Sequence, residues 1–128
     1  NWQHLVVFFI FKRGGLLMLM ERTSLLLEQA LDGLSLRHRV LANNYANVNT
    51  PGFKRSDVDF QSAMRQAFAE SSKKPEVQFQ VRADQTTTMR NDNNNVDPDV
   101  ELANISTNAI LYRALAEQID RRFGQFRR

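Results

Sequence analysis

Residues 98–126 read PDVELANISTNAILYRALAEQIDRRFGQF, and two interleaved series run through them. Leu102, Ala109, Ala116 and Phe123 recur at every seventh position; Ile105, Tyr112, Ile119 and Phe126 form the second series between them. All eight are apolar or aromatic, the a/d stripe of an amphipathic helix that wants a helical partner. Asp97-Pro98 supplies an N-cap followed by proline at the first helical position, where the missing N–H costs nothing. Asp99 and Glu101 fall in the first turn and Arg121 and Arg122 near the far end, matching the helix dipole at both termini. A helix from Pro98 to Phe126 would be about 43 Å long at ~1.5 Å rise per residue.

The same rhythm appears earlier in the chain. Leu27, Leu34, Leu41 and Val48 lie seven apart, with Leu31, His38 and Tyr45 between them. His38 is the one polar member and reads as a half-exposed stripe position beside Arg37 and Arg39, not a catalytic group. This helix should fail between Asn47 and Pro51, because the residue before a proline is pushed out of the helical region and Pro51-Gly52 is a turn signal. Each stripe is of little use alone, since isolated helices are marginal in water. The expected fold is mainly α, with N- and C-terminal heptad helices packed as a coiled-coil-like pair. The small irregular centre should carry at most a minor β element. Within it, residues 57–70 could form a short helix around Phe60, Met64 and Phe68. Val77, Phe79 and Val81 alternate like a half-buried strand, and residues 84–95 read as loop or disorder. Packing against neighbours would cover more of each helix, so an assembly subunit is expected over a free monomer.

The chain has 128 residues and 14.8 kDa, room for one domain. The 17 Lys and Arg against 14 Asp and Glu leave a net charge of +3, weak for a phosphate binder despite a pI near 9.7. With no cysteine and only His4 and His38, thiol nucleophiles, thiolate zinc and multi-histidine metal sites are excluded. No catalytic residue, metal or cofactor is expected. The apolar run from Leu5 to Phe11 is too short to span a membrane and precedes its basic residues, the reverse of a signal peptide. Lys12-Arg13-Gly14-Gly15 is the kind of peptide a purine-rich ribosome-binding sequence encodes ahead of a start at Met18 or Met20. Residues 1–17 are therefore read as translated leader outside the fold. Residues 18–50 follow as the first helix and its Asn-rich end, 51–95 as turn and irregular centre, and 96–128 as the last helix. Removing Lys12 and Arg13 with the leader leaves a charge of +1.

Other chemical readings give way to plainer ones. Asp92-Asn93-Asn94-Asn95-Val96-Asp97 is oxygen-rich like a calcium loop but lacks its glycine, so turn and capping chemistry is preferred. Asp57 and Asp59 read as a solvated helix start, not an acid–base pair. Gly14-Gly15 lacks the spacing of a phosphate loop. Arg121, Arg122, Arg127 and Arg128 read as a dipole-complementing helix end. They also carry the alternative function, a small helical module gripping acidic polymer or a membrane surface, which rising salt should weaken steeply.

The densest local signal is residues 41–54, a helix ending in asparagines and then a Thr-Pro-Gly turn. It resembles the signature near the N-terminus of bacterial flagellar rod and hook proteins, which reads like Ala-Ser-Asn-Ile-Ala-Asn-Ala-Asn-Thr-Pro-Gly-Tyr-Lys. Asn44, Ala46, Asn47, Asn49, Thr50, Pro51, Gly52 and Lys54 match it; Asn43, Tyr45, Val48 and Phe53 depart conservatively. The stretch from Arg55 to Phe60, the short length, and Asn94-Asn95-Val96-Asp97 leading into the last helix look like the proximal members of the basal-body rod family. The resemblance covers roughly residues 20–126. It implies a non-enzymatic rod subunit that assembles through its terminal helices into the drive-shaft linking the membrane ring and export gate to the rest of the rod, for motility. It further implies self-association and other rod subunits as partners, without nucleic acid or membrane insertion. The place implied is the periplasmic part of the basal body, reached by flagellar export without a cleaved signal peptide.

Overall fold

The computed structural model describes residues 2–127, with the side chains of residues 7–11 and 126 outside the description. The elements in chain order are α1 (Trp2–Ala46), β1 (Ser56–Val58), α2 (Phe60–Ala69), β2 (Val81–Ala83) and α3 (Pro98–Phe126). The two long helices pack on each other, and the two short strands pair antiparallel with Ser56 opposite Ala83 and Val58 opposite Val81. The expected mainly α architecture with a minor β element is what the chain adopts. The bounds of α3 are those of the heptad series, with Asp97 capping: its Oδ1 accepts from the Asp99 and Val100 N–H groups. The first helix ends at Ala46, just before the turn residues. It runs unbroken back to Trp2, and residues 2–6 and 12–19 on it are exposed.

Leu26, Ala30, Leu34 and Leu41 form the buried stripe of α1. It is wider than the heptad series because two things press on this helix. On one side lies α3. On the other, the central region folds back and is pinned by polar contacts that need no periodicity. Gln29 donates from Nε2 to the Pro75 carbonyl (2.7 Å) and accepts from the Val77 N–H (2.7 Å). Arg22 donates to the carbonyls of Ala67, Glu70 and Ser72. Phe79 covers Gly33 so closely that a Cβ there would run into its ring, and the ring stacks on Phe60 with centroids 5.7 Å apart.

Local readings of the centre fare unevenly. The short helix forms, capped by Asp59 accepting from the Ser62 N–H, but it buries Ala67 and leaves Phe68 exposed. Val77 and Phe79 are half-buried without belonging to a strand; pairing begins only at Val81, where Arg55 to Val58 lies alongside. Residues 84–95 form no helix or strand, yet Asn94 within them is fully buried.

Candidate functional site: a locked corner and an open flank

The signature residues make a corner. At the end of α1 the chain turns through Thr50-Pro51-Gly52-Phe53, with Phe53 N–H donating to the Thr50 carbonyl (3.2 Å) and Gly52 at φ +73°. That backbone suits glycine, as a type II turn with proline ahead of it requires. The free carbonyls of the helix end do not face water. Asn94 places its Nδ2 among three of them, those of Asn47 (2.9 Å), Val48 (3.1 Å) and Thr50 (2.9 Å). Gly52 N–H donates to the Asp92 carbonyl (2.7 Å), and Lys54 Nζ to that of Asn93 (2.6 Å), whose own φ is +59°. The Asn-rich segment before α3 thus caps α1 from the far side of the chain.

One turn earlier, Asn44 is 0% exposed and bridges the helix to β1: Nδ2 donates to the Ser56 carbonyl (2.7 Å) and Oδ1 accepts from the Ser56 N–H (2.9 Å). Beside it sits Glu101, also 0% exposed, whose Oε1 takes Arg55 Nε at 2.5 Å. Arg55 further donates to Asp84 (3.3 Å) and Asp57 (3.4 Å), and Arg37 from α1 binds Asp57 through both carboxylate oxygens (2.9 and 3.3 Å). A buried carboxylate is tolerable only when paired and hydrogen-bonded in this way. Burial pulls the Arg55 guanidinium down, but its bond to Glu101 and the charges of Glu101 and Asp57 outweigh this and hold it above its ordinary value. Burial likewise pushes the Asp57 carboxyl up; Arg37 and the Val58 N–H outweigh it, leaving it below the usual carboxylate range. The Thr86 hydroxyl and N–H hold Asp84 low as well. Asp57 is therefore not a solvated helix start. It is a strand residue clamped between two arginines, because the chain enters β1 before α2 begins, and only Asp59 caps that helix.

The helical stripes behave differently. On α1, Leu34 and Leu41 are buried, Leu27, Leu31 and Val48 half-buried, and His38 and Tyr45 exposed. On α3, Ile105, Ala116 and Ile119 are half-buried, whereas Leu102, Ala109, Tyr112 and Phe123 are exposed; the side chain of Phe126 lies outside the described residues. The positions turned fully inward on α3 are instead Glu101 and Asn108, and Asn108 Nδ2 donates to the Leu34 carbonyl across the pair (2.8 Å). A groove of about 460 Å³ runs along one flank, with exposed His38 beside buried Leu34 on one wall and Ala109, Tyr112 and Ala116 on the other. Of the matched signature residues, the structure brings Asn44, Asn47, Thr50, Gly52 and Lys54 into the corner's hydrogen bonds; Ala46, Asn49 and Pro51 are exposed around it.

Among the described residues no group of three or more histidines and carboxylates is placed to hold a metal ion, and no helix is long and apolar enough to cross a membrane. The corner offers fixed geometry, and the flank offers an uncovered apolar surface. A family model described as flagella basal body rod protein matches residues 27–54, the stripe of α1 and the corner itself. The flagellar basal body rod protein FlgB of Bacillus subtilis is 30% identical over 115 residues, covering 79% of this chain and 87% of that protein. The chain belongs to the FlgB family. FlgB of Borreliella burgdorferi is 32% identical over 105 residues, covering 66% of this chain and 78% of its own length. That of Proteus mirabilis is 28% identical over 116 residues, covering 74% and 83%. FlgB proteins are structural parts of the rod, not enzymes, and the corner and paired helices fit a part whose business is shape.

Four corner residues, Arg37, Arg55, Asn94 and Glu101, escaped the sequence reading as site residues. Arg55 and Asn94 left a signal only as parts of the two segments that look like FlgB, and Glu101 only as an acidic residue in the first turn of the last helix. The buried partners of Glu101 are 46 and 57 positions away, and no periodicity links them.

Proposed function

We propose that this chain is a structural subunit of the flagellar basal-body rod, building with its neighbours the drive-shaft that joins the membrane ring and export gate to the rest of the rod. Family membership supports the rod itself. The observation that carries assembly through the terminal helices is that the chain satisfies its own polar corner yet leaves heptad positions of both helices uncovered on one flank. Exposed aromatic and aliphatic residues at a/d spacing are a helix-packing surface awaiting another helix. Its partners are then copies of itself and other rod subunits, in the periplasmic part of the basal body after flagellar export. The test is swimming in soft agar by a strain lacking its own FlgB-family protein and carrying this chain. Restored swarms support the reading, and failure to swim despite normal export of the chain counts against it.

A further inference from the structure

Residues 59–80 leave the β1–β2 pair and return to it, so they form an insert closed at its base. That base is fixed to the corner on both strands. Asn44 binds both backbone groups of Ser56, and Asp84 N–H donates to the Arg55 carbonyl (2.7 Å). Asn95 reaches both strands, its Oδ1 accepting from Arg55 N–H (2.7 Å) and its Nδ2 donating to the Asp84 carbonyl (2.7 Å). Above the base the insert lies back along one face of α1, meeting Arg22, Gln29 and Gly33. Leu26 and Ala30, each 2% exposed, fall on that face by their three- and four-residue spacing from these contacts.

The insert is held more lightly than its base. Two of the three carbonyl contacts of Arg22 are exposed, and α2 buries Ala67 while leaving Phe68 outside. The one close apolar fit is the Phe79 ring, which fills the space where a Gly33 Cβ would stand and stacks on Phe60. A glycine within a helix weakens it relative to alanine, so Gly33 costs α1 stability and gives the ring its seat. Few buried apolar contacts and solvent-exposed hydrogen bonds mark a unit that opens before the rest of a fold. We propose that residues 59–80 are a strap that lifts from α1 as one body about the β1–β2 base, latched by Phe79 over Gly33, and that lifting bares a second apolar stripe at Leu26 and Ala30. This stripe lies round α1 from the wall that His38 gives to the flank groove. A lifted strap therefore opens α1 to contact on two sides while the corner keeps its geometry, and a closed one withholds the second side. The device belongs to the single chain and stands apart from the rod reading.

Because the chain has no cysteine, single thiols in the full-length protein report opening directly. Ala67→Cys places one under α2, Leu26→Cys one on the stripe, and Val96→Cys one beside Asn94 in the corner; all three positions are buried. With a thiol-reactive reagent under native conditions, positions 67 and 26 should react at similar rates, each at least roughly tenfold faster than position 96. Equal rates at all three would mean that the chain opens only as a whole. A fast position 67 beside a slow position 26 would mean that the strap does not cover the stripe. Either result overturns the proposal. Hydrogen exchange of the unsubstituted chain gives the same comparison: the amides of α2 and Val77 should share one protection, below that of Ser56, and protection equal to that of Ser56 counts against a strap. Gly33→Ala should speed labelling at position 67 at least roughly tenfold, leave position 96 unchanged and retain the helical circular dichroism. Unchanged labelling at position 67 removes the latch. In Phe79→Ala, where the seat is already empty, Gly33→Ala should add nothing to the labelling rate and raise the melting temperature. Further acceleration there would locate its effect in α1 itself and overturn the role of the ring.

Discussion

The corner and the flank are built from the same two helices and differ in what they leave undone. At the corner, Asn44, Asn94 and Glu101 are fully buried, and each has its polar groups met by partners from another part of the chain. Along the flank, Tyr112 and Phe123 stand more than two-fifths exposed, and Asn108 Oδ1 goes unmet among the described residues. A region closed by its own hydrogen bonds fixes geometry; a region left apolar and open needs another molecule. In this chain rigidity and stickiness are kept apart, and substitutions in the two places should fail in different ways.

The largest effect should come from the position that both regions share. Leu34 is 0% exposed, and its carbonyl holds Asn108. Leu34→Asp buries a charge without a partner, which costs several kcal/mol, on the order of a whole domain's stability. We expect an unfolded chain by circular dichroism and no swimming. A folded Leu34→Asp protein would dissolve the packing account. Ile119→Asp, at a half-buried site, should spare more of the fold while still stopping assembly.

Next comes the corner alone. Asn94→Ala strands three carbonyls and should cost about 1–3 kcal/mol, read as a lower urea midpoint. Asn94→Asp keeps the size but cannot donate, so it should do no better; a stable Asn94→Asp protein would mean the cap is not what holds the turn. Gly52→Val forces a branched side chain to φ +73° and should cost about 1–2 kcal/mol, though it removes no polar contact.

Acid gives a milder handle on the same region. The Asp57 and Asp84 carboxyls are held below their ordinary values in the fold, so each favours folding above the unfolded value near pH ~4 and loses that contribution as pH falls through the folded value. Urea midpoints should therefore drop below about pH 4, and less so in Asp57→Asn, whose remaining slope isolates the other carboxylates. The smallest effect is expected at Arg127, exposed at the end of α3: Arg127→Gln should change stability by less than about 0.5 kcal/mol and leave swimming intact. Loss of motility there would favour the acidic-polymer alternative.

Much of the fold is legible because its signals are local. The Asp97-Pro98 cap and the heptads between Leu102 and Phe126 fix α3 at both ends, and Pro51 fixes where α1 must stop. The facing of the helices is less legible. On α1 the heptad members Leu34 and Leu41 are buried, but beside them Leu26 and Ala30 are buried where the heptads point to Leu27 and Leu31, and on α3 Glu101 and Asn108 are buried one residue ahead of Leu102 and Ala109. That rotation follows from Phe79 settling on Gly33 and from Arg55 reaching Glu101, long-range contacts that a stripe cannot announce. The signature motif is legible as a turn, but its capping residue lies at the far end of the irregular segment.

That distance has a consequence for the order in which the chain folds. The three bonds from Asn94 close loops of 44 to 47 residues, whereas each turn of α1 and α3 closes over four. Loop-closure entropy grows with length, and long-range contacts are slow to form. Helical turns should thus form early, and the corner should set only after the segment around residue 94 has found the end of α1. A growing or truncated chain that stops short of that residue carries the whole signature and none of its geometry. The bend in the first half is completed by the second half.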